Sequence, residues 1–289
     1  MTAQDFLCKA LNRGMRSISF RSRLPSGASC PTLCTMTSRW SLVFVCLIST
    51  PALAQWQGYP TPGIPRLPDG KPNLSAPAPR APDGKPDLGG IWLSTRPKFN
   101  VAQSLKEGDT IPFQPWARQT FEERQANNSK DDPSARCLPT GPTQKPTLAT
   151  PFKIVQTPGL TVILNESRTT FRQIFTDGRP LPQVIDWPAW QGFSVGKWEG
   201  DTFVVETVGT NGKFWLDQAG HPATESFRLT ERFRRRDFGH MDLEMTIDDP
   251  QAYTKPWKMN VDLALQTDTE LLEFICEENE RDAHRMVGK

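Results

Sequence analysis

From residue 151 almost to the C-terminus, apolar and polar side chains alternate with a period of two, and this alternation constrains the fold more than any other feature of the chain. It is typical of β-strands that bury one face. Turn signals rich in glycine, aspartate and proline separate the alternating segments. The predicted strands cover residues 152–157, 160–166, 170–176, 193–198, 202–208, 226–236, 240–248, 257–266 and 271–277.

Strands at this regular spacing pair with their neighbours in sequence, and closure into a barrel removes the exposed edges that an open sheet would leave. We therefore predict a mainly β protein, an antiparallel up-and-down barrel of about eight or nine strands. One short helix is expected at residues 115–127, because Pro115 suits the first helical position and Ala117 and Phe121 share a face.

The turn at residues 237–239 predicts the register of one hairpin. A register that pairs Arg232 with Glu244 brings opposite charges together on the outer face. The inner face is then apolar except for Glu231 and Arg235.

A short apolar run at residues 42–48 follows Arg39 and precedes a small-residue cleavage pattern that ends at Ala54. These features describe a secretory signal, and the apolar run is too short to anchor the chain in a bilayer. A buried strand is the alternative. Because Met36 stands where an initiator would precede such a signal, residues 1–54 are interpreted as a leader and signal with a true start at Met36. The mature protein is then expected in the periplasm or outside the cell.

Removal of this segment takes away six of the 34 basic side chains and one of the 32 acidic side chains, which changes the net charge from +2 to −3. A mature chain of this charge offers no basic stripe to phosphate groups, which excludes nucleic acid as a partner. Motifs for serine hydrolases, phosphate loops, dinucleotide sites and zinc hydrolases are missing from the sequence. We expect neither a cofactor nor a metal, since the three histidines lack zinc-ligand spacing.

The mature chain is predicted to consist of a proline-rich linker or strap, residues 55–88, and one barrel domain, residues 89–284. The strap carries a short repeat, in which the Pro-Asp-Gly-Lys-Pro of residues 68–72 returns at residues 82–86. Each copy is typical of a turn that leads into an extended step.

Two cysteines follow the signal, Cys137 and Cys276. In an oxidising compartment this pair predicts one disulfide, which would contribute roughly 4–5 kcal/mol in the chain-entropy model. Two free buried thiols are the alternative. A catalytic cysteine is disfavoured, because neither cysteine has a histidine nearby in the sequence.

Charged residues on apolar strand faces need a partner or a ligand to offset the loss of hydration. Glu231 and Glu166 are predicted to face inward, and Arg172, Asp177 and Arg179 bracket the end of one strand. This set is a candidate site for an oxyanion or a polar ligand head, with Glu231 or Glu166 as general base. The alternative is a structural network of ion pairs at the rim of the barrel.

His221 lies in a loop beside a glycine and a proline and is a further candidate base. Tryptophans concentrate in the strand region, which suits a site for an aromatic or polycyclic ligand. The candidate ligand-binding tryptophans are Trp190, Trp198 and Trp257. The alternative is that they are ordinary packing residues of the core and loops.

Several short segments form a recognisable combination. They are Asp87–Trp92, Cys137–Pro139, Phe171–Ile174, Asp177–Arg179, Gly192–Asp201, Glu231–Phe233, Thr246–Pro250 and Tyr253–Trp257. Together they resemble a large, mostly uncharacterised family of exported bacterial proteins. The resemblance covers residues 86–284 and implies a lipocalin-like barrel, but it implies no activity and no catalytic residues. Gly90-Ile91-Trp92 also matches the Gly-x-Trp that opens many lipocalin barrels, where the tryptophan closes one end.

The sequence leaves three functions open. The first is an exported barrel that binds a small apolar, aromatic or terpenoid-like ligand. The second is a cofactor-independent lyase, isomerase or hydrolase that works in the barrel cavity, with Arg172 or Arg179 as the oxyanion partner. The third is an envelope protein whose strap contacts a partner. A closed, dry core favours the third function, whereas an open cavity with converging charges favours the second.

Overall fold

The computed structural model describes residues 59–276 and Glu278, in which nine strands close into a barrel. Strand order follows the sequence, and the last strand pairs with the first to complete the ring. The predicted mainly β barrel is therefore confirmed. The predicted leader and signal, residues 1–54, lie outside the described residues. The strands are β1 Gly90–Ser94, β2 Phe152–Thr157, β3 Leu160–Asn165, β4 Phe171–Phe175, β5 Phe193–Glu199, β6 Thr202–Val208, β7 Arg228–Arg235, β8 His240–Asp248 and β9 Trp257–Gln266.

The register of the β7–β8 hairpin is also as predicted. Arg232 lies opposite Glu244, and the two charges predicted on the inner face are both buried. The outer charges pair with other strands, however, since Arg232 contacts Glu199 at 3.0 Å and Glu244 accepts from Lys258 at 2.8 Å. The expected charge pairing therefore predicted the right register, although Arg232 and Glu244 each pair with a residue of another strand and not with each other.

Helix α1, Pro115–Ala126, lies where the sequence predicted a helix. Its Arg124 donates from Nη1 to the carbonyl oxygen of Gly220 at 2.9 Å, which fixes the helix against the connection between β6 and β7. None of the helices in the described part of the chain is long and apolar enough to cross a bilayer.

One pair of neighbouring strands, β4 and β5, runs parallel. A closed ring with an odd number of strands cannot alternate in direction throughout, so one parallel pair is required. The crossover at residues 176–192 returns the chain to the end of the barrel where β4 began. Its last residue, Gly192, has φ +63°, and a Cβ there would lie 2.6 Å from the carbonyl oxygen of Val208, so the position requires glycine. This pair is the exception to the predicted antiparallel order.

The nine predicted strands and the nine described strands differ in one member. Residues 271–276 form no strand, so the strand predicted at residues 271–277 is wrong, and β1, which was not predicted, takes its place in the count. Because β1 pairs with β9, the ring of described strands has no open edge for a further strand. The C-terminal segment lies instead against the turn after β3. There Glu166 accepts a hydrogen bond from the backbone of Leu272 at 3.0 Å, and Thr169 donates to the carbonyl of Phe274 at 3.0 Å.

Side chains fill the interior of the barrel. Inward-facing apolar residues from the strands form one continuous core. Ile174, Met245 and Leu263, for example, have 0% exposed surface, so no void large enough for a water molecule touches these side chains. The centre of the barrel is therefore a packed core.

Trp92 closes the lower end of the barrel, where β1 begins. Its indole N–H donates to the carbonyl of Leu88 at 2.9 Å, and the guanidinium of Arg235 lies 5.0 Å from its ring centroid. Arg235 is itself buried, and the loss of hydration lowers its pKa to about 10. It donates to the carbonyl of Asp87 at 2.6 Å and to that of Phe238, so it joins the strap to the β7–β8 turn.

Residues 59–88 lie across this lower end as two similar hairpin loops. In each loop an arginine donates to the carbonyl of the glycine four residues later, at 3.1 Å for Arg66 and 2.8 Å for Arg80. Each arginine also forms a bidentate pair with an aspartate of a barrel loop, Arg66 with Asp268 and Arg80 with Asp201. The two copies of the sequence repeat therefore form the same loop structure, and each is bound to the barrel by the same kind of arginine–aspartate pair.

The upper end is closed by residues 137–150, which we call the plug. It contains the short helix α2, Gln144–Thr147, whose four residues are all buried. Thr143 donates from Oγ1 to the carbonyl of Leu216 at 2.8 Å, so the connection between β6 and β7 holds the plug in place. A disulfide between Cys137 and Cys276, which confirms the predicted pair, ties the plug to the C-terminal segment.

Replacing both cysteines by serine is expected to lower the free energy of unfolding by about 2–5 kcal/mol, because the disulfide closes a long loop and restricts the unfolded chain. Urea denaturation of the Cys137→Ser/Cys276→Ser variant measures this change. Wild-type protein unfolded in the presence of a reductant is the matched control and should show the same loss. Equal stability of the oxidised wild type and the variant would contradict the prediction.

Candidate functional site

A buried ion pair between Arg172 and Glu231 lies inside the upper half of the barrel. Arg172 is 4% exposed and Glu231 is 1% exposed. The guanidinium donates from Nη1 to Oε1 at 3.0 Å and from Nη2 to Oε2, so the pair is bidentate. Charge-assisted bonds in this geometry are the strong ones. Two of the predicted site residues are therefore in direct contact.

Two hydroxyl groups complete the network around Arg172. Its Nε donates to Ser194 at 3.0 Å and its Nη2 donates to Thr207 at 2.5 Å, and the two hydroxyl oxygens are 2.9 Å apart. With Glu231, these residues come from four neighbouring strands, β4 to β7. The sequence analysis missed both hydroxyls, although their inward positions in the alternating pattern could have indicated them.

The network spans the pair of neighbouring strands with the fewest paired residues in the barrel wall, β4 and β5. Only Ile174 and Phe175 of β4 have register partners on β5. Residues 171–173 pair with β3 but have no register partner on β5. We call this short parallel junction the seam. The side chain of Arg172 crosses it on the inner side and reaches Ser194 of β5.

A small cavity adjoins the ion pair on the side of the plug. It offers about 20 Å³ to the centre of a water molecule, which is room for roughly one water. Its polar lining consists of Lys145, Asn165, Arg172, Gln191 and Glu231. Half of the lining residues are therefore polar or charged, although the surface that they and their apolar neighbours turn towards the cavity is mainly apolar.

Two groups that line the cavity have unused hydrogen-bonding capacity. Asn165 is 4% exposed, and its Oδ1 has no hydrogen-bond partner among the described residues. Arg172 has five N–H groups, and its bonds within the described structure use four of them. One acceptor and one donor among the residues that line the cavity are therefore unused.

Lys145 extends from the plug to the cavity and is buried. Its Nζ donates to the carbonyl of Ser167 at 2.5 Å, and no carboxylate of the described residues lies within ion-pair distance of it. Burial, and then the positive charge of Arg168, lower its pKa to about 7. The amine is therefore close to half neutral at pH 7. No sequence signal pointed to Lys145, because the plug has no periodic pattern.

An aromatic groove of about 390 Å³ lies on the outer side of the seam. Phe171 of β4 and Phe193 of β5 line it and are 61% and 39% exposed, and Phe175 and Trp190 complete the aromatic lining. None of the described residues that line this groove is charged. Gln191 lines both the groove and the inner cavity. Contiguous exposed aromatic side chains of this kind mark binding surfaces.

Asp177 and Arg179 form a separate, exposed pair after β4. Arg179 donates to Asp177 from Nε at 3.0 Å, and its guanidinium lies 3.7 Å from the ring centroid of Phe175. The hydrogen bonds from Arg179 lower the pKa of the Asp177 carboxyl. Each residue is the other's ion-pair partner, so the predicted oxyanion set is divided between the exposed turn and the buried Arg172 network.

Glu166 does not face the interior, which corrects the sequence assignment. The buried positions near the end of β3 are Ile163 and Asn165, whereas Val162 and Leu164 are only half-buried and point outward with Glu166. The outward face of β3 is the more apolar of its two faces, so the alternation indicated the wrong face for burial. The Glu166 carboxylate holds the C-terminal segment and is not part of the cavity.

His221 is buried, and it lies apart from the residues that line the cavity. Its Nδ1 is 2.7 Å from Oδ2 of Asp217. Its ring centroid lies 5.3 Å from that of Phe113 and 4.2 Å from that of Phe121, which belongs to α1. These contacts join the β6–β7 connection to α1, and a role for His221 as a base stays a prediction.

The three candidate ligand-binding tryptophans lie in three different places. Trp190 lines the groove. Trp198 packs against Phe203, with ring centroids 5.1 Å apart. Trp257 is 6% exposed and meets Tyr253 edge-on at 5.5 Å. Trp190 is therefore the one of the three that lines the aromatic groove, whereas Trp257 borders a different surface pocket.

No protein-family model matches the sequence, and no curated protein is similar to it. Within the described ranges, no group of three or more His, Cys, Asp or Glu side chains is arranged to hold a metal ion. The assignment of function therefore depends on the geometry of the groove, the seam and the cavity.

Glu231→Leu is expected to lower the free energy of unfolding by about 3–5 kcal/mol, because it leaves the charge of Arg172 buried without its partner. The double variant Arg172→Met/Glu231→Leu removes both charges and should cost clearly less than the sum of the two single variants. A double-mutant cycle by urea denaturation measures the coupling. A single variant within about 1 kcal/mol of the wild type would contradict the role of the pair.

Lys145→Met is expected to stabilise the protein at pH 7 and to flatten its pH dependence. Between pH 7 and about 10.4 the unfolded chain binds a proton at Lys145 that the folded chain releases, so wild-type stability rises with pH across this window. Below pH 7 both states are charged, and the full penalty, on the order of 4 kcal/mol, applies. Thermal unfolding from pH 6 to 10 tests this, with the exposed Lys106→Met as the control. An unchanged slope in Lys145→Met would refute it.

Proposed function

We propose that the protein is an exported barrel that binds a small, uncharged, apolar or aromatic molecule in the groove outside the seam. The observation that carries this proposal is the aromatic groove of about 390 Å³, whose described lining has no charged residue. The barrel supplies a rigid wall for this site.

The packed interior supports a site on the outer wall. The core side chains at the middle of the barrel have no exposed surface, Trp92 fills the lower end, and the plug fills the upper end. The cavity beside Arg172 has room for about one water molecule. A ligand with one or more rings would require the core to be rebuilt, whereas the groove is already open.

The chemistry of the groove supports an uncharged ligand. Its volume falls within the range of about 300–1,000 Å³ that is usual for small-molecule sites. The exposed faces of Phe171 and Phe193 suit stacking against a planar ring. Thr170, Gln173 and Gln191 provide hydrogen-bonding groups at its border, which could orient a hydroxyl or carbonyl substituent.

A larger pocket of about 480 Å³ lies on the other side of the crossover and is less suitable. Its lining includes the charged residues Glu225 and Arg228, and its aromatic residue, Phe227, is 1% exposed. This pocket therefore offers no aromatic face to a ligand. The groove at the seam combines accessible rings with an uncharged lining.

Export and membership of the exported lipocalin-like family are parts of the same proposal. The disulfide between Cys137 and Cys276 suits an oxidising compartment. The apolar run at residues 42–48 and the cleavage pattern before Ala54 suit a secretory signal.

The packed core also favours a second candidate, an envelope protein that contacts a partner through its strap. Arg66 and Arg80 bind aspartates of the barrel, so the strap is held against its own domain. The tips of its two loops, around Gly70 and Gly84, are exposed, and so are parts of the segments before and between the loops. These exposed parts of the strap are where a partner would bind.

Binding of N-phenyl-1-naphthylamine, an uncharged aromatic probe that becomes fluorescent in apolar sites, tests the main proposal. Phe171→Ser/Phe193→Ser removes two exposed rings from the groove and should weaken binding at least tenfold, since each buried aromatic contact contributes on the order of 1–2 kcal/mol. The control is Trp187→Ser, because Trp187 is 84% exposed but does not line the groove. The proposal fails if both variants bind the probe like the wild type, or if the control loses as much affinity as the groove variant.

A further inference from the structure

Lys145 is a buried amine that the proposed groove function does not use. We propose that Lys145 is a nucleophile that forms an imine with a small aldehyde in the cavity beside Arg172. The carbonyl group would occupy the space that has room for one water molecule.

The first support is that Lys145 is buried without a counter-charge. Other lysines of the barrel, Lys153 and Lys258, pair with Glu270 and Glu244 at the surface. Lys145 instead donates to a backbone carbonyl, and the nearest charge that affects it is the positive charge of Arg168. This arrangement costs stability, because a buried ammonium needs a carboxylate to offset its lost hydration. Stability alone therefore does not explain it.

The second support is that two residues with unused hydrogen-bonding groups line the cavity together with Lys145. Arg172 keeps one N–H on Nη1 that the described bonds do not use, and it lines the cavity. This N–H can donate to the oxygen of a carbonyl group and stabilise the negative charge that develops there. Asn165 also lines the cavity, and its buried Oδ1 has no described partner.

The third support is the fixed position of the amine. Helix α2 is entirely buried, and Thr147 donates from Oγ1 to the carbonyls of Thr143 and Gln144 at 3.1 and 3.0 Å. The plug is in turn held by the β6–β7 connection and by the disulfide at Cys137. A nucleophile on such a rigid support is held in one orientation towards its substrate.

The charge state of the amine agrees with this geometry. A pKa of about 7 leaves close to half of the Lys145 amines neutral at pH 7. An ordinary lysine, with a pKa near 10.4, has on the order of one neutral amine in a few thousand at the same pH. Lowering of the pKa by burial is a usual way to activate a lysine for attack on a carbonyl group.

The reaction balances without an oxidant or a reductant. The lone pair of Nζ attacks the carbonyl carbon, a C–N bond forms, and the carbonyl oxygen becomes the hydroxyl of a carbinolamine. The C–O bond then breaks, and the oxygen leaves as water with the two hydrogens of the neutral amine. The product is a C=N double bond between Lys145 and the aldehyde carbon, and addition of water reverses it. An aldehyde suits the small cavity better than a ketone, because its carbonyl carbon carries one substituent instead of two.

Reductive labelling with formaldehyde, the smallest aldehyde, and cyanoborohydride at pH 7 tests this inference, because the reductant makes each imine permanent. Peptide mass spectrometry at low total conversion should show methylation at Lys145 at least ten times faster than at the exposed Lys106. The rate at Lys145 should level off above about pH 8, whereas the summed rate at exposed lysines should keep rising towards pH 10. Labelling of Lys145 that is absent, or no faster than that of Lys106, would overturn the inference.

Two further measurements separate this inference from its alternatives. In 6 M guanidinium chloride the faster labelling of Lys145 should disappear, because the unfolded chain no longer buries the amine. If Lys145 is still labelled faster there, the local sequence and not the fold is responsible, and the inference is overturned. The variant Phe171→Ser/Phe193→Ser should keep the fast labelling of Lys145, since its changes lie on the outer wall. Loss of probe binding with retained labelling would show that the two sites are independent.

Discussion

The bidentate pair between Arg172 and Glu231 holds the barrel together where its backbone ladder is shortest. Nine strands cannot alternate around a closed ring, so β4 and β5 meet in parallel over two residue pairs. The guanidinium, the carboxylate and the hydroxyls of Ser194 and Thr207 connect four strands across this seam. A buried ion pair adds little net stability compared with an apolar pair, but it strongly disfavours any arrangement that separates its members. The polar network therefore specifies how the seam closes.

Closure of both ends of the barrel leaves no room for a ring-containing molecule in the interior. Trp92 and Arg235 seal the lower end together with the strap, and the plug seals the upper end. The seam is then the part of the wall where outer aromatic side chains, an inner cavity and a bridging residue, Gln191, come together. The odd number of strands therefore has two effects at the same place. It shortens the hydrogen-bonded pairing between β4 and β5, and it places the groove and the cavity on the two sides of that junction.

Local patterns predicted much of this fold, and tertiary contacts account for what they missed. Alternation, together with the flanking turn signals, located β2, β6, β8 and β9 to the residue, and the alternation of buried and accessible positions is strict in β8 and β9. It failed for the face of Glu166, since the outward face of β3 is the more apolar one. It also failed at residues 271–276, where backbone hydrogen bonds to the turn after β3 replace strand pairing. Of the candidate site, Arg172 and Glu231 could be predicted as charges on apolar faces. Lys145 could not, because its burial depends on how the plug docks.

The strap spans a fixed distance along the lower rim of the barrel, because it is attached to the barrel at two points. Arg66 and Arg80 are fourteen residues apart in sequence, and each is bound to one fixed aspartate, Asp268 or Asp201. Each loop closes on itself through its own arginine and glycine, so neither can lengthen to compensate for a change elsewhere. The segment between the loops must therefore match the gap between the two aspartates. Exchange of side chains leaves this spacing unchanged, whereas an inserted or deleted residue would move one arginine away from its aspartate.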